Sequence, residues 1–145
     1  MIADYNTVPL MFDECNYKYF KHSLPRPKFE ITNKIYVLAS FLYNRDKKNK
    51  KHPIKWPIIQ VTESYDFPDD VFRSMIVHEM IHYYIEWNGI KDNGNHGNVF
   101  KKMMNKYNEK YGLCITVTEN PSSFKKTEKA RKYSGLLGFV KSLFE

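Results

Sequence analysis

Apolar and polar positions alternate along this chain in two rhythms, one of period 3.6 and one of period 2, and the changes of rhythm mark its elements. Thr7-Val8-Pro9-Leu10 reads as a helix start with proline inside the first turn, where its missing N–H costs nothing. Leu10, Met11, Phe12, Tyr17, Tyr19 and Phe20 continue that helix to about Ser23, and Leu24-Pro25-Arg26-Pro27 breaks it. Lys28-Phe29-Glu30-Ile31 alternates as a strand does, Lys34 to Tyr43 is rich in Ile, Tyr, Val and Phe, and Trp56 to Thr62 is a third run of this kind. A sheet of three or more strands packed on helices is expected.

The rhythm changes at Asp66-Phe67-Pro68-Asp69-Asp70, where acidic residues suit the positive end of a helix dipole. Val71, Phe72, Met75, Ile76, Met80, Ile81 and Ile85 then supply a buried helical surface, which Asn88-Gly89 stops. After a polar turn, Asn98 to Tyr111 reads as another helix, with Val99, Phe100, Met103, Met104 and Tyr107 inward and Gly112 as its stop. Leu113 to Thr118 is a short β-type run. The remainder, through Gly135 to Val140, reads as one basic amphipathic helix or two fragments. Residues 1–118 are expected to form the domain and 119–145 a basic, helical tail.

Within the second helix, His78-Glu79-Met80-Ile81-His82 spells H-E-x-x-H. Residues four apart share a helix face, so His78 and His82 can offer imidazoles to one ion from consecutive turns. Glu79 lies one position round the helix, close enough to work on water at that ion without being a ligand. Catalytic zinc usually takes three protein ligands, and the turn Lys91-Asp92-Asn93-Gly94-Asn95 returns the chain to His96, the expected third. Glu86, four residues beyond His82, reads as a polar surface residue or a support for the ligands. Tyr65, Tyr83, Tyr107 and Tyr111 are candidates for the hydrogen-bond donor that a transition state would need. His22 ends a helix and His52 sits in a basic loop, so both are expected to be exposed and outside the site.

Composition changes this picture in two ways. A formal charge of +7 favours an acidic partner, and the charge is concentrated. Arg45 to Lys55 carries six Lys/Arg against one Asp, and Lys125 to Lys132 forms a second cluster, so both segments are candidate DNA contacts. Only two cysteines, Cys15 and Cys114, are present, with no C-x-x-C pair, which excludes a zinc ribbon and makes a disulfide framework a poor reading. No run approaches a membrane span and the start lacks a signal-peptide pattern, so the cytoplasm is the expected compartment and no membrane partner is expected.

With these segments in hand, the chain resembles the SprT-like family of zinc metalloproteases from about Leu10 to Thr118. The resemblance is carried by the opening helix Phe12-Asp13-Glu14-Cys15-Asn16-Tyr17-Lys18-Tyr19-Phe20, by His78-Glu79-Met80-Ile81-His82, by His96-Gly97-Asn98-Val99-Phe100 (H-G-x-x-F), and by the closing Ile115-Thr116-Val117. It implies a minimal zincin-like α+β metalloprotease domain, with about three strands packed against helices that include the H-E-x-x-H helix. It implies Zn2+ held by His78, His82 and His96, and Glu79 as general base. Many relatives carry a cysteine zinc ribbon after this core, where the present chain has its basic tail. The implied function is zinc-dependent cleavage of protein substrates, by analogy those associated with or crosslinked to DNA. The alternative from a different class is a zinc-stabilised nucleic-acid-binding module without protease activity, which predicts salt-sensitive DNA binding and no proteolysis.

Overall fold

Helix α1 (Thr7–Tyr19) packs on the long helix α2 (Asp69–Trp87), and between them the chain lays down strands β1 (Lys28–Thr32), β2 (Ala39–Arg45) and β3 (Ile54–Thr62). The computed structural model describes residues 1–132 and Gly135. After α2 come α3 (Asn98–Tyr111), a 3₁₀ turn at Pro121–Ser123 and the two-residue strand β5 (Lys125–Lys126), which pairs antiparallel with β4 (Tyr65–Asp66). The protein is α+β, with a sheet in the order β1-β3-β2. β1 runs parallel to the central β3, and β2 antiparallel. The expected basic, helical tail of residues 119–145 opens instead with the 3₁₀ turn and β5, which joins the domain through β4; it is helical from 128 to 132, and beyond residue 132, Gly135 apart, it lies outside the described residues.

α2 shows no clean amphipathic stripe because it is buried nearly all round. Phe72, Met75, Ile76, Val77, Met80, Ile81, Tyr83 and Ile85 are all buried, so the helix runs through the core and presents one narrow polar face. The apolar side of α3 covers it from one direction and the sheet from another. The family-like residues of α1 are structural. Phe12 and Phe20 are core, and the buried Asn16 amide donates to the Leu24 carbonyl (2.9 Å) and accepts from Leu24 N–H (3.2 Å), tying down the turn after the helix.

The structure corrects several expectations. α1 ends at Tyr19 instead of Ser23, and α2 starts at Asp69 with Pro68 as its cap, while Asp66 is in β4. The run from Lys34 becomes a strand only at Ala39. The preceding carbonyls of Asn33, Lys34 and Ile35 accept from the hydroxyls of Ser64, Thr62 and Tyr65, which hold the segment out of the ladder. The β-type run Leu113 to Thr118 is not a strand. Asn108 pairs with both backbone groups of Ile115, Ser74 Oγ accepts from Cys114 N–H, and the Thr116 carbonyl is taken by His78. Side chains thus satisfy a backbone that its β-branched content would send into a sheet.

At β2 the register fixes which backbone groups are free. Thr62 N–H donates to the Leu38 carbonyl at 2.9 Å, so Leu38 and Thr62 form a hydrogen-bonded pair. Alternation along the antiparallel ladder then makes Ala39 and Phe41 non-bonded pairs, and their N–H and C=O groups point to the open side of the edge strand. The register slips between Leu42 and Asn44, which leaves Tyr43 at a bulge.

Candidate metal centre

The narrow polar face of α2 holds His78 and His82, one turn apart. Each needs a partner across the gap, and His96 arrives at the start of α3. The Nε2 atoms of the three rings form a nearly equilateral triangle: 3.2 Å between His78 and His82, and 3.1 Å from each of them to His96. Lone pairs converging at such distances repel unless an ion shares them. A tetrahedral ion with ligands at about 2.0–2.1 Å sets nitrogens about 3.3–3.4 Å apart, within a few tenths of an ångström of this triangle. The His78, His82 and His96 cluster can hold a metal ion.

The rings are prepared for that role. His78 Nδ1 lies 2.7 Å from the Thr116 carbonyl, which can only accept, so Nδ1 carries the proton and Nε2 offers its lone pair to the triangle. Burial lowers the pKa of His78 to about 4, against the pull of the Thr116 carbonyl, and that of His82 to about 3, aided by the neighbouring rings. His96 is also lowered, first by desolvation and then by Lys101. All three are neutral at pH 7, the form a metal requires.

Phe100 is fully buried beneath all three, with its ring centroid 4.8, 4.5 and 4.8 Å from those of His78, His82 and His96. His96 is held by the cap of α3. Asp92 Oδ1 accepts from Asn93 and Val99 N–H, and its Oδ2 accepts from Phe100 N–H (2.9 Å). Asn93 Oδ1 takes Asn98 N–H. Partial desolvation opposes these bonds, yet their sum holds the Asp92 carboxyl below its usual range. A Cβ at Gly97 would lie 2.3 Å from both the Asn93 and Asp92 Oδ1 atoms, so only glycine lets the cap close. The three named residues of H-G-x-x-F therefore have three separate jobs: ring, clearance and floor.

Glu79 is 7% exposed and its Oε1 lies 3.9 Å from His78 Nε2. Burial alone pushes its pKa up to about 8. A carboxyl this dry holds or releases a proton near neutral pH, as a general base must.

Glu86 does not support His82. It bonds to Arg45 at 2.8 Å, and the second nitrogen of that guanidinium donates to Tyr43 Oη at 3.1 Å. None of the four candidate tyrosines serves the site. The hydroxyls of Tyr65, Tyr83 and Tyr107 donate to the carbonyls of Ile35, Pro25 and Tyr19, and the Tyr111 ring packs on Tyr19. Tyr43 instead lines a 360 Å³ groove together with His78, Glu79, His82 and His96. Two residues beyond Phe41, it shares with it the face of β2 that is turned to α2. His22 is exposed as expected, but His52 is half-buried: its ring stacks on Trp87 at 4.0 Å and its Nδ1 meets the Trp87 carbonyl at 2.8 Å, which pins the basic loop to the end of α2.

Three converging neutral imidazoles, two of them from an H-E-x-x-H helix, fit a metallopeptidase-type domain. The SprT-like family model matches residues 8–119, most of the chain, and the protein belongs to that family. Comparison with curated proteins returns no match. Among the described residues, no helix is long and apolar enough to cross a membrane.

Proposed function

We propose that this protein is a zinc-dependent endopeptidase of the SprT-like type, acting in the cytoplasm on proteins associated with or crosslinked to DNA. The observation that carries the reading is the Nε2 triangle with the Glu79 carboxyl at its side. His78, His82 and His96 would hold zinc, which when bound supplies Lewis acidity and brings the pKa of water toward 7. Three nitrogens are the usual catalytic set, because a structural site closes its fourth position with a further side chain.

Glu79 takes the proton of the attacking water and passes it to the leaving amine. The outward N–H and C=O groups of Ala39 and Phe41 pair with an extended substrate backbone and hold the scissile bond against the helix. Tyr43 is the donor best placed to meet charge developing on the scissile carbonyl. Its oxygen accepts from Arg45, while burial and the nearby Glu86 carboxylate hold its pKa above the usual range and keep the phenol protonated, and its ring is fixed between the Arg45 guanidinium (5.0 Å) and Phe41 (5.4 Å). Tyr43→Phe is expected to lower kcat about 100-fold with KM and zinc content little changed. Steady-state kinetics with metal analysis checks this, and an unaltered kcat removes Tyr43 from the mechanism.

The DNA part of the reading is supported by which charges are already neutralised. In the second basic cluster, Lys129 pairs with Glu63 and Lys132 with Glu128, while Lys125, Lys126 and Arg131 have no carboxylate partner among the described residues. In the β2–β3 hairpin, Lys47, Lys48, Lys50, Lys51 and Lys55 have no carboxylate partner among the described residues, and only Arg45 is paired. The hairpin begins at the site, since Arg45 and Pro53 line one pocket with His82 and Glu86. Nucleic acid held on the hairpin would keep a crosslinked protein beside the catalytic groove. Replacing Lys47, Lys48, Lys50 and Lys51 with Ala should weaken binding to single-stranded DNA and lower its salt slope by about 0.7 for each phosphate no longer neutralised, while cleavage of free unfolded protein persists. An unchanged slope would take the hairpin out of the interface. The two unpaired cysteines accord with a reducing compartment.

A further inference from the structure

Phe29, Phe41 and Tyr43, the other aromatic residues of the three strands, pack at least partly against the core. Trp56, in the middle strand, does not. It is 69% exposed. Its backbone is out of the ordinary as well. Asn44 pairs with Lys55 and Leu42 with Ile58, so Trp56 and Pro57 together stand opposite the single Tyr43, a bulge in β3. Trp56, the first residue of that pair, has a φ of +58°, the left-handed conformation for which a bulge ordinarily uses glycine. A bulky side chain disfavours that conformation, and an indole in water returns little to the core. Strain kept at an exposed position points to a use outside the fold.

The surroundings say what that use is. Lys55 precedes Trp56, and Lys28 of β1 pairs with Ile58, two residues further on. Both lysines are exposed and have no carboxylate partner among the described residues. The turn of the same hairpin carries Lys47, Lys48, Lys50 and Lys51. Glu30 is the one acidic residue of the three strands, and it stands opposite Gln60, away from Trp56.

We propose that Trp56 is a stacking platform for a nucleobase, so that the hairpin binds single-stranded nucleic acid in preference to duplex. The inference rests on the nucleic-acid reading of the hairpin and adds to it the strand form and the base contact. Lysines alone hold the phosphates of either form. An exposed indole adds little on a duplex, whose bases are already stacked on one another, but it offers a flat face to any unpaired base. Every base has such a face, so the contact tolerates sequence. Neighbouring strands lie about 4.8 Å apart, which puts the Trp56 backbone beside that of Tyr43. A strand fixed at Trp56 therefore passes next to the groove that Tyr43 lines with the three histidines.

The test titrates a labelled oligothymidylate of about twelve nucleotides, and a duplex of the same length, against the zinc-loaded full chain by fluorescence anisotropy. Trp56→Gly should weaken binding of the oligothymidylate about tenfold and leave duplex binding unchanged. The salt slope should also stay as it is, because a lost stack releases no counterions. Glycine suits a φ of +58°, so this variant should unfold at no lower urea concentration than wild type. Trp56→Tyr keeps a ring and should lose no more than about threefold. Trp87 is covered by His52, so indole emission that the oligothymidylate quenches in wild type but not in Trp56→Gly reports the stack itself.

Equal loss on duplex and single strand, or full affinity in Trp56→Gly, overturns the proposal. If replacing the hairpin lysines still weakens binding, the nucleic-acid reading stands without it. A wild-type chain that binds neither form removes both. Emission that ignores the oligothymidylate and shifts to the blue on phosphatidylglycerol vesicles overturns the proposal in favour of a membrane surface.

Discussion

Glu79→Gln is expected to abolish peptide cleavage, by a factor of about 1,000 or more, and to leave zinc in place, because the carboxyl moves a proton and is not needed as a ligand. The same substitution should stabilise the metal-free protein. Burial holds the Glu79 pKa up at about 8, whereas in an unfolded chain it ionises near 4.5. Between those values the unfolded state has already lost a proton that the folded state keeps. The wild-type protein therefore loses stability as pH rises from about 4.5 toward 8, and the glutamine variant, which does not titrate, escapes that loss. The stability gap between variant and wild type should thus widen with pH over this window to a few kcal/mol at most. Urea unfolding of the two metal-free proteins at pH 5 and pH 8 reads it directly. A variant that still cuts, or one less stable than wild type at pH 8, contradicts the role given to Glu79.

Gly97→Ala should cost metal affinity without touching a ligand. The new methyl would stand 2.3 Å from the Asp92 and Asn93 side-chain oxygens, so the cap must open. Val99, Phe100 and Asn98 N–H then lose their acceptors, and His96, the residue before Gly97, loses its anchor. Loss of a helix cap costs about 1–2 kcal/mol, and displacing the support of a ligand typically costs 10–100-fold in metal affinity. Competition with a chelator, run beside thermal unfolding, checks both parts. If Gly97→Ala binds zinc as wild type does, the cap does not position His96.

Much of the site was legible because it is written in side chains at helical spacing. His78 and His82 follow from the i, i+4 rule, and His96 from a helix stop, a polar turn and the return of the chain. What escaped lies in the backbone or in tertiary packing. The Thr116 carbonyl that sets the His78 tautomer has no side-chain signature. Tyr43 shares the groove face with Phe41 by strand alternation, but neither the place of β2 at the sheet edge nor the register that frees Ala39 and Phe41 can be read from composition.

The errors have the same origin. Leu113 to Thr118 has strand-like residues, yet Asn108 and Ser74 occupy its backbone first. Lys34 to Leu38 is diverted by three hydroxyls that are remote in sequence. His52 looked like part of a solvated basic loop, and only the fold brings Trp87 under its ring. The general shape, strands then an apolar metal-site helix on a small sheet, survived because it depends on apolar periodicity summed over many residues.

The peptidase reading requires three imidazoles to share one ion and to leave one of its places open. X-ray absorption at the zinc edge, on protein carrying one equivalent of zinc, measures this most directly. Three imidazole nitrogens at about 2.0–2.1 Å with one further oxygen donor and no sulfur are expected, together with loss of tight binding in His96→Ala. A sulfur in the shell, or full zinc occupancy in His96→Ala, would contradict it.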